Sequence, residues 1–393
     1  MEIKRSLFRT TFRKTLLNVA SVAAGGLLLI ACEDPSSVGL GLVGDDTGQP
    51  ITETLGLSTF EAAPEVGIVD NLGEVLVGTV NDPTMGGTNA VGYIDIRNNN
   101  SLPEDYRTGT IERAILRLEN SYVYGDTLEA LTLGLHEVLT AFSGFGSTLD
   151  SIPDVGPELM QFTITPADSI VEIDLPESWI TANDTALRAA NFADAFHGFQ
   201  LVPISGNAVV GFHNSVTRLT ALRSIVGTDT VNFSADKSIT TLSKFSEANV
   251  PPGRLAIQDG IGPKIAFNFN IDSLQNVSLN RFSVRLPADQ DVYETPANFF
   301  RPPIEVLSLH GVLGDSASLQ LAIGSLDDDG NYDFSSDIFH AVLQQFLLGA
   351  APYDKYEIRF PSSSANSIDA LVMHDVSSET AVPEIFITYT ELK

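Results

Sequence analysis

The chain has 393 residues, of which 22 are basic and 50 are acidic, and its formal net charge is −28. A surface this acidic repels phosphate backbones, so we expect no nucleic-acid partner. The single cysteine permits no intrachain disulfide. Hydrophobic residues make up 43% of the chain, so the composition predicts a globular protein held together by burial.

The N-terminus has the features of a bacterial lipoprotein signal in their usual order. Basic residues between positions 4 and 14 precede an apolar stretch, Leu16 to Ile30, which is too short and too rich in small residues for a good membrane span. It ends in Leu29-Ile30-Ala31-Cys32, which resembles the lipobox whose cysteine is diacylglycerated and becomes the mature N-terminus. We therefore predict a signal peptide over residues 1–31 and lipidation of Cys32. The alternative is an ordinary secretory signal with a chance cysteine.

Residues 32–55 are predicted to be a lipid-anchored linker, since residues 33–50 are rich in Gly, Ser, Pro and Asp. Glu33-Asp34 resembles the acidic export tag of surface lipoproteins in Bacteroidota-type bacteria, although a solvated acidic linker would look the same. Each acyl methylene buried in a membrane contributes about 0.8 kcal/mol. We expect a protein anchored to the outer membrane by its acyl chains and exposed at the cell surface, with the periplasmic face as the alternative.

The body of the chain reads as short strands. Apolar and polar residues alternate over Ala114–Leu118, Leu131–Leu135, Ile265–Phe269 and Ile385–Tyr389. Period-two alternation rich in Val, Ile, Phe and Thr is typical of half-buried strands. The predicted fold class is all-β, with two tandem antiparallel β-sandwich domains that are jelly-roll-like and carry one or two short helices.

Two segments are predicted to be helical. The first is Thr185 to Phe196, which is rich in Ala and follows Asp184 as N-cap. The second is Asp337 to Leu348, which repeats apolar residues at helical spacing and follows Ser336 as N-cap.

A weak internal repeat runs through the body. Ile111–Leu118 aligns with Leu279–Leu286, and Phe199–Asn214 aligns with Tyr356–Asp375. A helical stretch precedes the second segment in both copies. The order and spacing agree, which predicts two related domains, although convergent strand patterning would give a similar picture.

The predicted domain boundary falls where Pro and Gly interrupt any regular element, near Ala248–Gly253. The first β-sandwich domain is accordingly placed at 56–248 and the second at 249–393.

Four segments resemble a large lipoprotein family of Bacteroidota-type bacteria that is described only as a domain of unknown function. They are Cys32 with Val38–Leu42, then Val77–Thr88, Tyr122–Thr127, and Pro383–Thr390. The resemblance spans nearly the whole mature chain in the right order. It implies an outer-membrane or surface lipoprotein with a β-rich body, and it lends no established activity. The strand pattern is also similar, more distantly, to carbohydrate-binding-like sandwich modules.

No motif predicts a catalytic site, so the protein is not expected to be an enzyme. Gly314-Asp315-Ser316 and Asp337–His340 resemble pieces of an esterase triad, but they lie close together and late in a β-rich chain. No pair of histidines has the spacing of a zinc site. His213 and His374 occupy matching repeat positions, which favours a structural role at strand ends.

One loop has the composition of a calcium site. Asp327, Asp329, Asn331 and Asp333 surround a Gly turn, and calcium prefers such oxygen ligands. Ser336 stands where an EF-hand requires a bidentate Glu, so an EF-hand is rejected. A simpler structural calcium loop and a solvated hairpin tip both remain open, and no other cofactor is expected.

The sequence therefore favours a lipid-anchored protein with a non-catalytic structural or protein-interaction role, whose partner is an envelope protein. Glycan binding is the alternative, since Trp179, Tyr122 and Tyr124 offer aromatic rings for sugars, although packing explains them equally well. A secreted hydrolase is a second and weaker alternative. The sequence identifies no ligand.

Overall fold

The computed structural model describes residues 50–392, apart from 56, 58, 64–67, 71–73, 99–100, 145–146, 190, 214–219, 263, 272–273, 275, 294, 315–316, 351–352 and 362–366. Within this part, Thr52–Tyr389 belong to one compact unit. Of the described residues, 50, 51 and 390–392 belong to a second unit. The predicted signal peptide and most of the predicted linker lie outside the described residues.

Strands dominate the first half of the chain. They are β1 Ile51–Leu55, β2 Thr59–Ala63, β3 Ile68–Asp70, β4 Glu74–Asp82, β5 Gly86–Arg97, β6 Arg113–Asp126, β7 Leu131–Val138, β8 Val155–Ile164, β9 Ile170–Asp174, β10 Phe199–Ser205, β11 Ala208–His213, β12 Thr220–Val226 and β13 Asp229–Lys244. The helices are α1 Glu104–Thr108, a 3-10 turn Leu149–Ser151, α2 Glu177–Leu187 and α3 Phe192–Ala195.

The second half is built in the same way. Its strands are β14 Arg254–Gln258, β15 Lys264–Asn268, β16 Val277–Pro287, β17 Phe299–Phe300, β18 Val306–Leu313, β19 Ala317–Leu326, β20 Asn331–Phe334, β21 Lys355–Arg359, β22 Ala370–His374 and β23 Glu384–Glu391. Its helix is α4 Asp337–Leu347.

The predicted all-β sandwich class is confirmed. The described strands form antiparallel sheets of twelve and nine strands and a two-stranded pair, β14–β22. Three of the four strands predicted from alternation lie within β6, β7 and β23, and the fourth, Ile265–Phe269, extends one residue beyond the end of β15 at Asn268. Alternation sets the buried face, as in β23, where Ile385, Ile387 and Tyr389 are buried and the residues between them are half-buried.

Aromatic side chains fill both halves of the core. In the first half, the ring of Trp179 packs against Phe196 and Phe199 with centroids 5.6 and 5.5 Å away. In the second half, the ring of Phe282 packs against Phe339 of α4 at 4.8 Å. Large aromatic rings each remove a large apolar area from water, so these clusters stabilise the core in both halves.

One predicted helix is confirmed and the other was misplaced. Ser336 caps α4, since its Oγ accepts a hydrogen bond of 3.0 Å from the backbone N–H of Phe339. The Ala-rich segment does not start at Asp184, which lies inside α2 and pairs with Arg188 one turn later. The helix begins earlier, after Pro176, so Trp179 lies on this helix.

The predicted internal repeat is visible in the strand pairing. The correspondence is β4 to β14, β5 to β15, β6 to β16, β7 to β18, β8 to β19, β9 to β20, β10 to β21 and β11 to β22. Arg117 lies opposite Glu172 in β6–β9, and Arg285 lies opposite Asp333 in β16–β20. Both opposed pairs are salt bridges, with N–O distances of 3.6 and 3.0 Å.

The same register recurs elsewhere. His136 lies opposite Gln200 in β7–β10, and His310 lies opposite Glu357 in β18–β21. A β-bulge precedes each of these histidines at the corresponding point, in β7–β8 and in β18–β19. Because an irregularity is reproduced at the same place, we infer that the two halves share one plan.

The N-terminal strands belong to the sheet of the second half. β1 pairs with β23, and β2 pairs with β15. The long strand β13 has a similar role in the first half, where its N-terminal part pairs with β12 and its C-terminal part pairs with β5. Residues 51–55, which the sequence assigns to the linker, thus form strand β1. The domain ranges 56–248 and 249–393 stay a prediction.

Candidate functional site

The predicted lipid-attachment site lies outside the described residues. Cys32 and the lipobox residues Leu29, Ile30 and Ala31 all fall in the segment 1–49. Among the helices of the described part, none is long and apolar enough to cross a membrane. The lipid anchor and the outer-membrane location stay predictions.

Two of the three carboxylates in the predicted calcium loop, those of Asp327 and Asp333, have protein partners. Asp327 Oδ1 accepts hydrogen bonds from the backbone N–H groups of Asp329 and Asn331, at 3.0 and 2.7 Å. The bonds from Asn331 and Asp329 hold the pKa of Asp327 below its usual value. Asp333 forms a bidentate pair with Arg285. Within the described part, no cluster of three or more His, Cys, Asp or Glu side chains is suitably placed for a metal ion. Calcium binding stays a prediction.

Two of the histidines make hydrogen-bond contacts with neighbouring segments of the fold. His340 Nε2 lies 2.8 Å from the carbonyl oxygen of Leu279, so this ring ties α4 to β16. His374 Nδ1 lies 2.9 Å from Ser378 Oγ, next to the last strand of the fold. Asp315 and Ser316 lie outside the described residues.

Tyr122 and Tyr124 make buried polar contacts. The Tyr122 hydroxyl donates to Asp369 Oδ1 at 2.9 Å, and the Tyr124 hydroxyl donates to Asp82 Oδ2 at 2.7 Å. Burial and the neighbouring carboxylates raise the pKa of both tyrosines well above the usual value. Tyr122 therefore joins the first half to the second through Asp369, and Tyr124 does so through an edge-on contact with Phe299, with ring centroids 6.0 Å apart.

A buried ion pair completes the same junction. Arg301 donates to both carboxylate oxygens of Asp82, at 2.6 and 2.8 Å, and Asp82 also accepts from the backbone N–H of Thr84 at 2.8 Å. The guanidinium lies over the rings of Tyr293 and Phe299, 5.0 and 4.8 Å from their centroids. Burial disfavours the charged form of Asp82 and by itself would raise its pKa. The hydrogen bonds from Arg301 and Tyr124 outweigh this effect, so the pKa of Asp82 is lowered.

The side chains around this pair line an open cleft of about 410 Å³. Its lining is aromatic, proline-rich and aliphatic, with a few polar groups. It comprises Gln290, Tyr293, Thr295, Phe299, Phe300, Arg301, Pro302, Pro303, Ile304, Glu305, Leu326, Tyr332, Ala370 and Leu371. Phe300 is 45% exposed, so one large ring is offered to a ligand. We call this feature the 300-cleft.

A smaller pocket of about 210 Å³ lies next to the 300-cleft and shares Pro303, Ile304 and Glu305 with it. Asp369 lines this pocket, and burial raises its pKa to about 6. Glu305 is exposed at the shared wall. The combined surface is therefore acidic at neutral pH, since Asp82 already neutralises Arg301.

Sequence reasoning missed the 300-cleft. The signal was a departure from the internal repeat, because residues 288–305 connect β16 to β18, whereas the corresponding strands β6 and β7 are joined by residues 127–130. The longer connection reaches across to the first half, where Phe299 and Phe300 pair with Asp126 and Gly125. Connections that depart from a repeating scaffold are common places for binding residues.

No family model matches the chain, and no curated protein matches it.

Proposed function

We propose that this protein is a lipid-anchored, non-catalytic binding protein of the outer membrane, and that it engages an envelope protein through the 300-cleft. The observation that carries the proposal is the cleft itself, an open and mainly apolar concavity with one exposed aromatic ring. Such concavities with a few polar groups are the usual form of a binding site. Cys32 would hold the acyl chains, and the body would face the cell exterior.

The lining favours an extended protein segment as the ligand. Phe300, Pro302 and Ile304 form an apolar wall, and Pro302 has no side-chain rotamer freedom to lose on binding. Aromatic residues, including Phe, are enriched in the buried centre of protein–protein interfaces. Glu305 and Asp369 add negative charge, so the complementary segment carries neutral or basic side chains.

Glycan binding is the second candidate, and one observation favours it. Gln290 and Thr295 place an amide and a hydroxyl on the lining that also carries the exposed ring of Phe300. Sugars combine stacking on such a ring with hydrogen bonds to such groups. The site is the same, so the two candidates differ only in the ligand class.

Two measurements on the purified soluble chain separate the candidates. For the first, native envelopes are treated with a reversible crosslinker and a mild detergent, and proteins captured with the wild-type chain are identified. The proposal expects a defined envelope protein whose recovery is lowered by Phe300→Ala. For the second, the same two chains are applied to a glycan array. Saturable glycan binding that Phe300→Ala abolishes, with no protein recovered, would replace the proposal with the glycan candidate.

A further inference from the structure

The first half of the molecule lacks one strand pairing that the second half has. In the second half, β19 pairs with β20 through Gly324, Ser325 and Leu326. Their counterparts are β8 and β9, which follow each other in the chain in the same way. β9 pairs with β6, and β8 is the last strand of its sheet. Within the part of the chain that the structure describes, no strand lies along the outer edge of β8.

A glycine explains the difference. Gly324 faces Phe334, and a Cβ atom at Gly324 would lie 2.8 Å from the Phe334 ring, so only glycine permits the close approach of β20. Phe162 holds the corresponding register position in β8, and Ile173 corresponds to Phe334. Two large side chains would collide if β9 approached β8 as β20 approaches β19, so these strands stay apart.

The edge of β8 is only partly protected against pairing with another strand. Pro157 and the exposed Glu158 disfavour strand pairing along the N-terminal part of this edge. The following residues, 159–163, carry no charge, and Gln161 and Thr163 are exposed. Leu159, Met160 and Phe162 pack partly against the core and fix the strand in place. A fixed, extended and uncharged edge is a template for strand addition.

We propose that the outer edge of β8, residues 157–163, is a docking site for an extended segment of another protein, which adds to the sheet as an antiparallel strand. The second half shows how such an edge is covered, since β20 lies antiparallel on β19. The opposed pair Gly324 and Phe334 indicates a size requirement for the added strand. Because β8 carries the large residue Phe162, the added strand needs Gly or another small residue opposite it.

A foreign segment fits this edge better than a second copy of the chain. Each copy has a formal net charge of −28, so two whole copies of the chain repel each other, whereas a neutral or basic segment is not repelled. This proposal goes beyond the binding role proposed above and rests on it only for the nature of the ligand, a protein segment. It concerns a different surface from the 300-cleft.

The first test uses the mature chain with Cys32→Ser and a phage-displayed library of random twelve-residue peptides. Selected peptides are added to the chain, and amide hydrogen exchange is followed by mass spectrometry. We expect saturable slowing of exchange within residues 157–163, with a small residue recurring at one peptide position. Peptides that slow exchange only elsewhere, or no selected peptide at all, would overturn the proposal. So would concentration-dependent dimerisation with protection of β8.

The second test introduces into the first half the residues that allow β19 and β20 to pair in the second half. Phe162→Gly combined with Ile173→Phe reproduces the Gly324–Phe334 arrangement, so β9 can cover β8. We expect slower exchange of β8 amides without peptide and peptide binding at least about tenfold weaker. Phe162→Leu keeps a large side chain and serves as the control that retains binding. Peptide binding that is unchanged in a folded double variant would contradict the proposal.

The wild-type chain alone gives a result that does not depend on any variant folding. Residues 159–163 of β8 should exchange faster than residues 324–326 of the paired strand β19. Equal protection would show that the β8 edge is already covered, and the proposal would fail. If no segment binds at β8 but the envelope protein is still captured in a way that depends on Phe300, this proposal fails and the proposed function stands. The failure of one proposal can therefore be distinguished from the failure of the other.

Discussion

At the scale of single residues, Asp369 links the fold to pH. Burial raises its pKa to about 6 from an ordinary value of 3.8, so the folded chain binds a proton more tightly than the unfolded chain. Its contribution to the free energy of unfolding is therefore fully present below pH 4 and is lost as the pH rises to about 6, by up to about 3 kcal/mol. Asp369→Asn keeps an acceptor for Tyr122 and should remove this decline. Urea unfolding of the wild type and the variant at pH 4, 5, 6 and 7 measures the decline in the free energy of unfolding. If this free energy changed with pH in the same way in both chains, the role of Asp369 would be contradicted.

The buried pair Asp82–Arg301 gives a second prediction at this scale. Asp82→Ala would leave the Arg301 guanidinium and the Tyr124 hydroxyl without their carboxylate, which should lower the free energy of unfolding by about 3–5 kcal/mol. The matched control is Asp174→Ala, which breaks the exposed pair with Arg113 and should cost under about 1 kcal/mol. Chemical denaturation compares the two, and equal small losses would show that the buried pair is not a structural clamp.

At the scale of elements, capping gives a direct prediction for α4. Ser336→Ala removes the acceptor for the Phe339 N–H and should cost about 1 kcal/mol, whereas Ser336→Asp supplies another acceptor and should cost less. Thermal unfolding by circular dichroism measures both. Equal losses in the two variants would contradict the capping role.

Elements with a local signal could be predicted from the sequence, and others could not. The alternation in Ile385–Tyr389 and the cap at Ser336 act within a few residues, so the sequence contains them. The Ala-rich stretch gave the wrong start for α2. This helix is stabilised by the burial of Trp179 and Ile180, and tertiary packing, rather than local composition, determines that burial. The 300-cleft depends on residues 288–305 crossing to the first half, and no local pattern reports such a crossing.

At the scale of the whole molecule, the N-terminal strands complete the second half. Deleting residues 50–63 would leave the edges of β15 and β23 without β2 and β1, so we expect a lower melting temperature and faster amide exchange in β15. A chain that begins at residue 50 is the matched control and should melt like the longer chain. Equal melting of all three would show that these strands add no stability.

The anchor belongs to this scale as well. Cys32→Ser should move the protein from the membrane fraction to the soluble fraction, because no acyl chain can then be attached. Mass spectrometry of the wild-type N-terminal peptide should show the added lipid on Cys32. An unmodified cysteine in the membrane-bound protein would contradict the predicted anchor.

The central claim is that the 300-cleft is the binding site, and one matched pair of variants tests it most directly. Phe300→Ala and Phe245→Ala each remove one exposed ring, 45% and 57% exposed, but Phe245 does not line the cleft. The dissociation constant of the captured envelope protein is measured for both variants by titration calorimetry. We predict at least about tenfold weaker binding for Phe300→Ala and unchanged binding for Phe245→Ala. Equal binding by both variants would contradict the claim.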